Sequence, residues 1–322
     1  MFKNKKINFL AIGDIASDTF IKISEAETEC DNSGDNCKIC LNYGGKIPYE
    51  KAITCYAVGN SANFAVGTRR LGMNAILMTN LGDDMDGKLC VDNLKKENID
   101  TNLVQIENNL STNCHYVIWY KKDRTILVKH EKYNYKWPDN KKLDKNLPSW
   151  VYLSSLGENS LPFHNEVLTY LNKHPDIKFA FQPGTFEIRF GTKSLADIYK
   201  RTNILFCNRS EAEKILNIEE SDINKLLKGL YNLGPKMIVV TDGASGAYAY
   251  DGDNIFYQEA YPLESLVEVT GAGDAFTSAF MSAIELEKDI QTALKWGSIN
   301  AISVISHIGP QEGLLTRENL NF

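Results

Sequence analysis

The segment Val267-Glu268-Val269-Thr270-Gly271-Ala272-Gly273-Asp274-Ala275-Phe276 sets small residues and an acid at the head of an apolar run, Thr277 to Ile284. Small residues at Gly271, Ala272 and Gly273 let backbone approach a ligand closely. The run that follows reads as a helix, whose free N–H groups and positive dipole end bind an anion without any cationic side chain. Asp274 falls in the first turn, where it can take a proton from a hydroxyl. The plainer reading is a glycine turn followed by a dipole-matching acid. A second polar cluster, Asn208-Arg209-Ser210-Glu211, is a helix capping box as it stands.

The surrounding pattern says what must hold these residues. Ile7–Ile12, Ala75–Thr79, Val151–Ser154, Lys178–Phe181, Ile204–Cys207 and Met237–Thr241 are short apolar runs that read as strands. Helical patterns alternate with them, as at Asn63–Leu71 before Gly72, which argues for a parallel sheet covered on both faces. Two stretches break the rhythm. Phe20 to Ala57 is long and polar, with β-like pieces at Phe20–Ile23 and Ile53–Val58. Thr112 to His130 alternates, turns at Lys121-Lys122-Asp123-Arg124 and resumes, a hairpin signal. Both read as a small β-lid projecting from the sheet edge, loops of this length being usually functional covers or disorder.

With these segments in view, the chain resembles the ribokinase-like (PfkB) family of sugar and nucleoside kinases. Thr270 to Phe276 is similar to its C-terminal signature, which implies that Gly271, Ala272 and Gly273 form an anion hole and Asp274 is the base. Gly59-Asn60-Ser61-Ala62-Asn63 with Arg69-Arg70-Leu71-Gly72 resembles the N-terminal signature, implying that Gly59, Asn60 and Asn63 contact the acceptor. Gly13-Asp14, with Asp18, resembles the first-strand motif that binds acceptor hydroxyls, a task suited to carboxylates. Gly82-Asp83-Asp84 with Gly87 resembles the family's Gly-Asp-Asp turn. Asn208 and Glu211 resemble the Asn-x-x-Glu motif that orders water around Mg²⁺ and phosphate. Thr241, Gly243 and Gly246 resemble the nucleotide loop, and Gly297 to Asn300 with Ile308-Gly309 lie where the family wraps the adenine.

The resemblance implies one α/β domain over residues 1–322, a three-layer sandwich around a mostly parallel sheet, with lid segments at about 19–57 and 110–131. It implies ATP-dependent phosphorylation, with Mg²⁺, of a hydroxymethyl group on a small carbohydrate, ribose or fructose first. A nucleoside or a sugar phosphate is the alternative acceptor, with Lys46, Lys129 and His130 as candidate contacts to a phosphate. The alternative of another class is a non-catalytic sensor of a sugar or nucleotide. Three departures carry consequences: Val58 stands before Gly59 where a glycine is usual, Glu268-Val269 replaces Asp-Thr, and Gln182-Pro183-Gly184 lacks Asp-x-Asn. The second argues against an activating monovalent cation.

Composition narrows the partners. With 43% hydrophobic and 24% charged residues, the chain has the makings of a full core. A net charge of −6 argues against a broad nucleic-acid or anionic-membrane surface, while leaving room for a backbone-built phosphate site. The apolar stretch ending at Gly13-Asp14 is short for a signal peptide, so a cytoplasmic protein is expected. Seven cysteines, an odd number, are expected as reduced thiols rather than as a zinc site at Cys30, Cys37, Cys40 and Cys55. Gly82 to Lys88 approaches a P-loop, but Leu89 replaces the required Ser or Thr and three aspartates would repel phosphate. Strand edges on the lid make a homodimer contact there plausible.

Overall fold

The computed structural model describes residues 6–31, 37–121, 123–138, 143, 146–219, 222–262 and 266–320; the expected turn residue Lys122 lies outside them. The N-terminal half runs β1 (Phe9–Ile12), β2 (Ala16–Ile23), β3 (Glu27–Cys30), β4 (Cys37–Cys40), β5 (Tyr49–Val58), α1 (Asn60–Arg70), β6 (Ala75–Gly82), α2 (Met85–Lys96) and β7 (Asp100–Glu107). Then come β8 (Asn113–Tyr120), β9 (Asp123–Lys129), β10 (Trp150–Leu153), α3 (Leu161–Lys173), β11 (Lys178–Phe181), α4 (Thr185–Ser194) and α5 (Ala196–Arg201). The C-terminal part is β12 (Ile204–Asn208), α6 (Arg209–Leu216), α7 (Ile223–Tyr231), β13 (Met237–Thr241), β14 (Ala247–Tyr250), β15 (Ile255–Gln258), α8 (Ala272–Glu285) and α9 (Ile290–Ile305).

Nine strands form the main sheet in the order β15-β14-β13-β12-β11-β10-β1-β6-β7. Pairing is parallel from β7 to β13 and antiparallel beyond it. The continuous apolar strands follow from burial on both faces. Phe9 and Ala11 pack on one side with Phe64 and Phe280, while Leu10 and Ile12 pack on the other with Phe163 and Leu227. This is the expected three-layer α/β sandwich. The C-terminal ends of β1, β10, β11, β12 and β13 line up along one rim, where ligands of open α/β sheets bind.

The lid is a four-stranded sheet in the order β5-β2-β8-β9. Its first arm rises from β1, an interior strand, rather than from the sheet edge as expected; only the second arm follows an edge strand, β7. Register decides its faces. Asp18 lies opposite His115 and Phe20 opposite Val117. Phe20 and Val117 are buried beneath the lid, whereas Tyr116 and Leu127 on the alternate positions are about half exposed.

The cysteine expectation needs correction. β3 and β4 pair antiparallel with Cys30 opposite Cys37, and these two form a disulfide. Cross-strand juxtaposition brings the sulfurs together, so neither is a free thiol or a zinc ligand. Cys40, Cys55, Cys90, Cys114 and Cys207 are the free cysteines.

Candidate active site

The glycine loop sits where α8 begins. Gly271 adopts φ 83°, a left-handed conformation, and a Cβ there would clash with Pro310. Glycine is therefore required on two counts. At Gly273, by contrast, a Cβ would meet nothing within 4 Å, so open space adjoins the helix N-terminus. Glu268 ties the preceding turn: its carboxylate accepts from Thr270 N at 2.9 Å and from Thr270 Oγ1 at 2.6 Å.

Asp274 follows in the first turn of α8, buried to 6% exposure. Its Oδ1 accepts from Asn60 Nδ2 at 2.7 Å and Gln182 Nε2 at 3.1 Å, and its Oδ2 from Asn63 Nδ2 at 2.8 Å. Burial pushes its pKa up, and the three amides oppose that rise. Two of these amides are held in turn. Gln311 Nε2 donates to Asn63 Oδ1 at 2.9 Å, and Thr277 Oγ1 donates to Gln182 Oε1 at 2.8 Å. Asn63, expected at the acceptor, is buried beside Asp274, and both ends of its amide are engaged.

Asp14 ends the β1 turn nearby. Tyr135 Oη donates to its Oδ2 at 2.7 Å and accepts from Gly157 N at 2.9 Å. Oδ1 is buried and has no hydrogen-bond partner. Burial raises the pKa to about 7 against the lowering pull of Tyr135, with Glu187 adding to the rise. Gly59 backs this corner, since a Cβ there would come within 2.9 Å of Asp14 O. The residue before it, Val58, is buried at the end of β5.

Asp18 hangs from the lid, with His115 Nδ1 3.1 Å from its Oδ1. The His115 ring meets that of His130 at 5.3 Å, and His130 meets Phe186 of α4 at 5.5 Å. This chain of contacts seats the lid on the main body. Burial, then His115, lowers the His130 pKa, so this ring is neutral at pH 7. Lys129 pairs with Glu131 at 2.8 Å and lines a separate surface cleft with Asp84, Asp86 and Tyr116; Lys46 is exposed. Neither reaches Asp14. Asp84 caps α2 and accepts from Thr112 N at 2.8 Å, so the Gly-Asp-Asp turn is a structural joint.

A third corner lies at the ends of β12 and β13. The capping box is formed: Glu211 N donates to Asn208 Oδ1 at 2.8 Å, and Asn208 N donates to Glu211 Oε2 at 2.9 Å. Asn208 stands opposite Thr241 in the sheet, and Arg209 pairs with Asp242 at 2.7 Å, which joins this box to the Thr241–Gly246 loop. Gly243 faces open space. Burial raises the Glu211 pKa, and the Asp274 charge adds to that rise, so the two carboxylates sense one another. Asn300, expected at the nucleotide, lies within the packing of α9 on α8. It is fully buried, donating to Ala275 O at 2.7 Å and accepting from Leu315 N at 2.9 Å. A Cβ at Gly297 would likewise strike the Phe276 ring, so that turn of α9 packs α8.

Among the described residues no three His, Cys, Asp or Glu side chains gather as a preformed cation cage. Glu211 and Asp274 are carboxylates, the donor type of which Mg²⁺ takes one or two beside substrate phosphates. No helix among the described residues is long and apolar enough to cross a membrane. Sequence reading passed over Tyr135, placed His115 and Arg124 only in the lid hairpin with no role in the site, and saw Gln182 only as a departure.

Residues 21–317 match the family described as pfkB family carbohydrate kinase. The chain is 24% identical over 295 residues to a 5-dehydro-2-deoxygluconokinase of Halalkalibacterium halodurans, covering 85% of this chain and 87% of that one. It is 24% identical over 317 residues to an ATP-dependent 6-phosphofructokinase of Thermoanaerobacterium thermosaccharolyticum, covering 96% and 91%. The Arabidopsis thaliana ribokinase complexed with ribose and ATP shares its fold with a TM-score of 0.81 at 19% identity, over 98% of each chain.

Proposed function

The chain belongs to the pfkB family of carbohydrate kinases, and from that premise we propose that it moves the γ-phosphoryl of ATP onto a hydroxymethyl group of a small, unphosphorylated carbohydrate. The observation that carries this reading is Asp274: a buried carboxylate held by three amides at a helix N-terminus, beside the open space at Gly273.

Phosphoryl transfer is mostly positioning and electrostatic stabilisation. The amides of Gly271, Ala272 and Gly273 and the dipole of α8 stabilise charge on the phosphoryl oxygens. Asp274 takes the proton of the acceptor hydroxyl, and Asn60, Asn63 and Gln182 fix its direction. Asp14 receives acceptor hydroxyls through its open Oδ1, and Asp18 receives them from above. The lid excludes water, which would otherwise compete as acceptor. Thr241, Gly243 and Gly246 frame the nucleotide, and Glu211 with Asn208 would hold Mg²⁺ through water. When bound, the ion neutralises phosphate charge.

A free sugar is favoured over a sugar phosphate because Lys129 is turned to Glu131 and His130 is neutral, leaving no cation of that set beside Asp14. An activating monovalent cation is not required, because Arg124 Nε lies 3.1 Å from the Glu268 carboxylate and supplies positive charge there. A homodimer through the lid belongs to the same reading, given the exposed Leu127 and Val128 on the edge strand β9; light scattering at rising concentration checks it.

The test is ADP formation with ribose, fructose, 5-dehydro-2-deoxygluconate, fructose 6-phosphate and adenosine as acceptors. Turnover is expected with an unphosphorylated sugar. Tight binding of one compound with turnover of none would replace the kinase with a sensor.

A further inference from the structure

An ion pair joins the lid to the turn before the glycine loop. Arg124 lies on β9 opposite Trp119, on the face that also carries His115 and Val117 toward the cleft. Its Nε stands 3.1 Å from Glu268 Oε1. The Glu268 side chain is 3% exposed and that of Arg124 is 24% exposed, so the pair is largely withdrawn from water. The same carboxylate holds Thr270 N and Oγ1, one residue before Gly271. The other side of this turn is fixed, because Val267 N and Glu268 N both donate to Ile305 O, at 2.9 and 3.2 Å.

We infer that Arg124 is a positioning residue that couples lid closure to the geometry of the Gly271–Gly273 loop. The inference rests on reading that loop as the phosphoryl site. A buried carboxylate without a counter-charge is costly, and breaking such a pair is strongly destabilising. Glu268 finds its positive partner on the lid. With the lid down, Glu268 is neutralised and its two bonds to Thr270 define the turn. With the lid raised, a bare carboxylate stands beside the place that must receive a triphosphate, and it is better solvated by leaving the turn. The loop is then competent for transfer only when the cleft is covered. Water in an open cleft gains little access to an assembled phosphoryl site.

The test is Arg124→Gln, assayed with the best acceptor and ATP. The expected result is a fall in kcat of about 10- to 100-fold, the scale on which a remote misplacement of about an ångström acts. Amide hydrogen exchange over residues 267–275 should quicken in the same variant, a readout independent of turnover. Glu268→Gln should reproduce both effects, and the double variant should lose no more than the worse single one. Wild-type kcat and exchange in Arg124→Gln would overturn the coupling, as would losses that multiply in the double variant. If Arg124→Gln does not fold, Glu268→Gln carries the same test, with wild-type exchange as the contrary result. Asp274→Asn run in parallel separates the two readings. If that variant keeps its turnover, the phosphoryl-site reading fails. If it is inactive while Arg124→Gln is normal, only the coupling fails.

Discussion

Asp274 and Asp14 are both buried carboxylates on the same rim of the main sheet, yet Asp274 accepts three side-chain amides whereas Asp14 accepts one tyrosine and leaves an oxygen open. Burial raises the pKa of each. At Asp274 the amides restrain that rise and fix both oxygens, which suits a group that must be ionised and aimed at one proton. At Asp14 the rise reaches about 7, and the unpartnered oxygen awaits a donor. Buried polar groups are normally satisfied, so an orphan in a cleft marks where a ligand completes the set. On the proposed function, the difference separates a group that reacts from a group that binds.

Substitutions can break that division. Asp274→Asn should retain the fold and ATP binding and lose about 10²–10⁴-fold in kcat, the range for removing a general base. Asp14→Ala should weaken acceptor kcat/KM by about 10²-fold or more, on the scale of losing a buried charge-assisted hydrogen bond, and should leave the Kd for ATP within about twofold. Equal losses toward both ligands would remove Asp14 from the acceptor corner. Gln182→Ala should lower kcat by about tenfold while sparing acceptor KM, because it loosens the base and touches neither ligand.

A smaller effect concerns stability. The folded pKa of Asp14, about 7, lies above its ordinary value of 3.8. Between those values the folded chain keeps a proton that the unfolded chain has lost, so stability falls as pH rises through that window. Asp14→Asn abolishes the term. Its melting temperature should therefore equal or exceed that of the wild type above pH 7, by about 1.5 °C for each kcal/mol regained in a domain of this size. A difference between the two that did not change with pH would contradict the assignment. The smallest expected effect is that of replacing Na⁺ by K⁺ in the assay, which should leave the rate unchanged.

The parts legible in the sequence are those written locally. Gly271 to Asp274 lie within one turn, and Asn208 and Glu211 are three residues apart, so spacing alone places them. The apolar strands declare themselves because both faces of the main sheet are buried. What stayed hidden depends on sheet order and register. Tyr135 reaches Asp14 across 121 positions and Gln182 reaches Asp274 across 92, with no repeating pattern to announce either contact. The Cys30–Cys37 bond arises from the pairing of β3 and β4, which the polar stretch gave no reason to expect. Asn300 occupies the expected stretch of chain, but the packing of α9 on α8 turns its amide inward.

The division of labour is tested most directly by the single-turnover rate of transfer at saturating ATP and acceptor, followed from about pH 5 to about pH 9 in the wild type and in Asp274→Asn. The wild type should slow as acid protonates Asp274, and Asp274→Asn should be slower throughout and lack that acid limb. A variant that keeps the limb and a near-normal rate would show that the proton leaves the acceptor by another route.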